Sequence, residues 1–124
     1  MTARMTVADL RFINLVAARR FAGAQPGPID EGALESVLSG SADGTPFARA
    51  ATLAAAVVRR GVVASAPLHT AVLGMHCSLR LDGFSLLTPQ GVLAAMIRGL
   101  AAGGEVDAMA RWLRDRAVPS ASGG

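Results

Sequence analysis

The chain has 124 residues, enough for one hydrophobic core and too few for two. It is 52% hydrophobic with a mean hydropathy of +0.42, yet Arg or Gly interrupts each apolar run before the roughly 18 residues that a membrane span needs. A net charge of +3, with Arg in small groups not interleaved with the aromatics, argues against a stacking, basic nucleic-acid surface. A single cysteine, Cys77, excludes an internal disulfide framework. The opening "MTARMTVADL" has no apolar signal core, so the expected setting is the cytoplasm. All twelve basic residues are Arg, which with the abundant Ala and Gly points to a GC-rich, bacterial coding genome. Arg stays charged where Lys would titrate, hence the sequence pI near 11.0.

In chain order, "TVAD" resembles a capping box with Thr6 as cap and Asp9 reaching back. Val7, Leu10, Ile13, Asn14 and Ala17 follow on one face of a first helix that Gly23 ends, and Asn14 is expected as a buried amide bonded to a loop carbonyl. After the turn-rich "AQPGPID", Asp30 caps a second helix closed by Gly40. Thr45 caps and Pro46 opens a third, running to Gly61. A fourth helix, Pro67 to Leu81, is expected to be central and most buried, with Ser65 as its cap and Asp82-Gly83 as its stop. "FSLL" is a short extended link; no alternating run is long enough for a sheet, though "GFSLL" could form a two-stranded scrap. Thr88-Pro89 starts a fifth helix, and "EVDAMARWLRDRA" makes a sixth with Val106, Met109, Trp112 and Leu113 on one face. Met96 and Met109 read as core filling. The expected architecture is one all-α domain of about six helices over residues 1–118, with 119–124 as a disordered tail.

Three stretches, in order and at matching separation, resemble the Fic/Doc (Fido) family in its short Doc branch. "DEGALES" at Asp30 to Ser36 is similar to the D-x-G-x-L-E-S signature, and "ARAATLAAAVVRRG" to the helix leading into the active loop. "TAVLGMHCSLRLDGFSLL" resembles the family's "TA…LxFLxxNGxxL". The resemblance implies a Fic/Doc-like bundle around a buried central helix. It also places Gly61 to Thr70 at the family's active loop, H-x-F-x-D/E-G/A-N-K/G-R-T-A. There the His is a general base, the acid holds a metal bridging phosphates, and Asn, Arg and helix-start amides cradle the anion.

Gly61 and Thr70-Ala71 anchor the alignment, with eight residues between Gly61 and Thr70 where the family has nine. Val62 stands for the His, Ala64 for the Phe and Ala66 for the acid; Pro67 and Leu68 fall near the Asn and the basic residue, and His69 on the Arg. Val62 accepts no proton, no carboxylate remains for magnesium, and Pro67 deletes an amide donor. The remnant loop (Gly61, Val62, Ala64, Ser65, Ala66, Pro67, Leu68, His69, Thr70) is therefore expected to hold no catalytic residue. Ser65 as nucleophile and His69 as relocated base are the two candidates against that expectation. His69 and His76 lie about 10 Å apart by helical rise, too far to share a metal, so no metal site is expected; His76 and Cys77 read as packed side chains. Asp30 and Glu35 read as structural.

The resemblance implies a catalytically degenerate, pseudoenzyme member of a bacterial toxin–antitoxin system: a non-catalytic binding protein without cofactor. Its partner would be an antitoxin helix or a second copy of itself. The alternative is an active toxin, using ATP and Mg to modify a hydroxyl of a translation factor such as elongation factor Tu. Stripped of polar residues, the old cleft is expected to be an apolar groove lined by Val62, Val63, Ala64 and Leu68, where Val63→Asp or Leu68→Asp would weaken association without unfolding the chain.

Overall fold

A computed structural model describes residues 5–23, 27, 29–40, 44–60, 63 and 66–120. The first helix, α1 (Val7–Ala17), starts in the expected capping box: Thr6 N–H donates to Asp9 Oδ2 at 2.8 Å and Asp9 N–H to Thr6 Oγ1 at 3.2 Å. Its buried stripe is Leu10, Ile13, Asn14 and Ala17. The helix then widens into a π-helical turn, Ala18–Ala22, which the 3.6-residue period does not foretell. Gly23 closes it at φ 60°, a left-handed conformation that glycine adopts without a Cβ penalty.

In α2 (Glu31–Gly40), Asp30 Oδ1 accepts the Ala33 N–H at 3.0 Å, and Leu34 and Val37 face the core. Thr45 caps α3 (Pro46–Arg59) through the Ala48 N–H at 3.1 Å, with Pro46 in its first turn. The fourth helix, α4 (Pro67–Leu81), has the expected bounds, and Gly83 at φ 87° makes the turn beyond it. Its cap residue is Ala66, not Ser65. Two helices, α5 (Gln90–Ala101) and α6 (Val106–Arg116), follow. Pro89 sits at the cap of α5 and no side-chain bond closes that end, so Thr88 does not serve as its cap.

The centre of the molecule is the packing of α3 on α4, flanked by α1, α2, α5 and α6. Ala50, Ala51, Leu53, Ala54, Ala55 and Val57 of α3 are buried, as are Thr70, Ala71, Val72, Gly74, Met75 and Leu79 of α4. The two helices share the interior, so α4 is not the most buried by itself. Small side chains along this seam allow close approach. Leu34, Leu93, Ile97, Met109 and Leu113 supply the larger apolar surface around it, each removed from water at about 25 cal/mol per Å².

A two-stranded antiparallel ribbon pairs β1 (Phe84–Leu86) with β2 (Ala117–Pro119), Ser85 opposite Val118. Ser120 continues it by donating its N–H to Gly83 O at 2.8 Å, with its hydroxyl 3.1 Å from that of Ser85. Pro119 and Ser120 therefore belong to the domain and not to a tail. Nonlocal pairing explains the miss, because a three-residue strand has no periodicity of its own to reveal it. Two arginines brace the helix ends. Arg49 pairs with Asp82 at 2.9 Å, joining the start of α3 to the end of α4, while Arg59 donates to Leu100 O at 2.7 Å and to Gly104 O. The all-α fold of six helices is thus as expected, with the π-helical turn and the pairing of the ribbon's second strand as additions.

Candidate functional site

The loop singled out by the resemblance reaches α4 through Ala66. Gly61, Val62, Ala64 and Ser65 lie outside the described residues; Val63, Ala66, Pro67, Leu68, His69 and Thr70 lie within them. Ala66 adopts φ 47°, ψ 50°, the one non-glycine residue with positive φ among those described. A Cβ in that region costs roughly 1–2 kcal/mol, so the surrounding contacts hold the turn in place. Its carbonyl accepts the Thr70 N–H at 2.9 Å and closes the first turn of α4. Pro67 has no N–H to offer, and among the described residues no side chain caps this end, where the Leu68 and His69 amides stand at the positive pole of the helix.

His69 is engaged by its ring. It stacks on Phe21, centroids 4.1 Å apart and planes within 6°. Phe21 comes from the π-helical turn after α1, and the Arg20 guanidinium carbon lies 6.0 Å from the same ring's centroid. One residue further, Thr70 is fully buried and its hydroxyl accepts the Asn14 side-chain amide at 3.0 Å. Asn14 is thus buried and hydrogen-bonded as expected, with the Thr70 hydroxyl as one of its partners. Two polar residues interrupting two apolar helix faces, one on α1 and one on α4, were the sequence signal for this pair. Phe21 had no such signal, because the wide turn that aims it breaks the helical period.

Val63 departs from its expected place. It is 3% exposed, packs in the core, and forms an isolated antiparallel bridge with Ile29. A β-branched side chain beside a bridge to the segment before α2 serves the interior. Val63 therefore does not line an open groove, and an Asp there would be buried inside the fold. Leu68 is half-buried and packs against the core edge. Asp30 acts as a cap, and Glu35 is exposed on α2.

Further along α4, His76 is half-buried and burial holds its imidazole pKa below the ordinary value. Burial, reinforced by the nearby Asp9 carboxylate and opposed by Arg80, raises the Cys77 thiol, so the neutral thiol is favoured. Among the described residues, no three His, Cys, Asp or Glu side chains gather as a metal-binding group. No helix among them is long and apolar enough to cross a membrane. No family model and no curated protein matches the chain.

Proposed function

We propose that the chain is a catalytically degenerate, Doc-like protein-binding module derived from a bacterial toxin–antitoxin system. The observation that carries this reading is the stack of His69 on Phe21 at 4.1 Å. At the position where the resemblance places a phosphate-cradling Arg, this chain has an imidazole laid flat against a neighbouring ring. The residues on either side support the same reading. Thr70 is committed to Asn14, and Val63 to the core and to Ile29. Side chains used to hold three segments together at the mouth of α4 are not free to turn towards a nucleotide. The binding role falls to the surface around Phe21, which is 40% exposed, and to the half-buried Leu68 in the first turn of α4. An amphipathic partner helix, such as an antitoxin segment, would lay its apolar stripe there.

Incubation with labelled ATP, Mg and purified elongation factor Tu tests this reading. The expected outcome is no label on the factor above a protein-free control. Transfer that His69→Ala abolishes would overturn the reading in favour of an active toxin with an atypical site.

A further inference from the structure

The one aromatic of α1, Phe12, stands exposed at the opposite end of α4 from the loop. α1 and α4 run antiparallel: Asn14 meets Thr70 at one end, while Asp9, Phe12 and Ile13 border Cys77, Arg80 and Leu81 at the other. Between them lies an open depression of about 430 Å³. Its floor is apolar, formed by buried Ile13 and half-buried Met5 and Cys77. Phe12 stands on its rim 65% exposed, with Leu81 38% exposed on the facing helix. The charges are divided between the two walls, Asp9 on α1 and Arg80 on α4. Asp9 uses Oδ2 to cap its own helix, and Arg80 forms no ion pair among the described residues.

We propose that this α1–α4 groove is a self-association surface, occupied by the same groove of a second copy of the chain across a two-fold axis. A two-fold contact requires one patch to carry both halves of every interaction. This patch does so. It offers a protruding aromatic and a depression of a size to take one, and it offers an anion and a cation on opposite walls. Rotation brings Phe12 of each copy over the other's apolar floor and Asp9 of each towards Arg80 of the other. A buried aromatic at the centre with charges at the rim is the arrangement that concentrates binding energy in stable interfaces. The division of one acid and one base fits a surface that meets itself, and charge pairing at the rim fixes the register of the two copies. The inference is independent of the proposed function, since it uses the far end of α4 and needs no property of the loop.

Sedimentation equilibrium on the full chain tests it, from about 1 μM to about 500 μM. A monomer–dimer equilibrium is expected. Phe12→Ser and Arg80→Glu should each raise the dimer Kd at least about tenfold, the second by setting two carboxylates against each other. Leu87→Ser removes a leucine 78% exposed outside the groove and should leave the Kd unchanged. Phe12, Arg80 and Leu87 are surface residues, and circular dichroism of each variant should match the parent. A monomer across the whole range would overturn the proposal and leave the groove to a different protein. A dimer that both groove variants leave intact, or that Leu87→Ser weakens equally, would overturn it as well.

Discussion

At its start, α4 turns polar groups inward: Thr70 is buried against Asn14, His69 lies on Phe21, and the preceding Val63 is locked in the core. At its finish, the same helix turns apolar and charged groups outward. Leu81 and the facing Phe12 are exposed, and Arg80 stands without an ion pair among the described residues. The first end resembles a place where chemistry belongs, yet its side chains are spent on packing. The second end resembles no motif, yet it presents what an interface needs. Both ends leave side chains open to a partner: Phe21, against His69, at the loop end, and Phe12, Arg80 and Leu81 at the far end.

Substitutions along the helix and its approach break this contrast to different degrees. Val63→Asp should have the largest effect, because an uncompensated carboxylate at a site 3% exposed costs about 3–5 kcal/mol. Urea denaturation followed by circular dichroism should show a destabilised or unfolded chain; native stability with only an association defect would return Val63 to the surface. Next, Thr70→Val removes one acceptor of the buried Asn14 amide, at a cost of about 1–2 kcal/mol. Pairing it with Asn14→Leu should cost less than the sum of the single changes, a coupling that a double-mutant cycle measures.

A smaller effect of opposite sign is expected at Ala66. Glycine relieves the left-handed strain but frees the unfolded chain, so Ala66→Gly should stabilise by about 0.5 kcal/mol. Destabilisation there would mean that the Ala66 methyl contributes more than its backbone costs. The smallest effect is a pH dependence at His76, midway along α4. Its folded pKa lies below the ordinary value, so the unfolded chain takes up the proton first as pH falls. This contribution to stability is complete above the unfolded imidazole pKa and declines as pH drops through and below it. His76→Gln should flatten that acid-side slope in thermal melts, and an unchanged slope would assign it to other groups.

Most of the fold was legible because its signals are local. Thr6 with Asp9, Asp30, Thr45 with Pro46, and Gly23 and Gly83 each act within a few residues of where they stand, and each performs its expected role. The misreadings arise where distant segments decide. Ala117–Pro119 is a strand only because Phe84–Leu86 lies beside it, and Val63 is interior only because Ile29 bridges to it. The Phe21–His69 stack depends on a π-helical turn that no apolar period encodes. Its neighbour Asn14 was legible as a buried amide because it interrupts an apolar stripe, but its partner Thr70 lies 56 residues away. The apolar groove was sought in the loop, from the missing polar residues: of its four expected lining residues Val63 is in the core, and Val62 and Ala64 lie outside the described residues, while an open depression lies between α1 and the end of α4, where side chains from two faces meet.

The account rests on His69 being held by packing and not poised for a nucleotide, and proton NMR of its imidazole ring reports on this directly. A ring lying flat on Phe21 at 4.1 Å feels that ring's current. The account predicts His69 ring protons shifted upfield of their free positions, released by Phe21→Leu, and unmoved when Mg and ATP are added to the parent protein. Ring protons at their free positions that move saturably with Mg and ATP would contradict it.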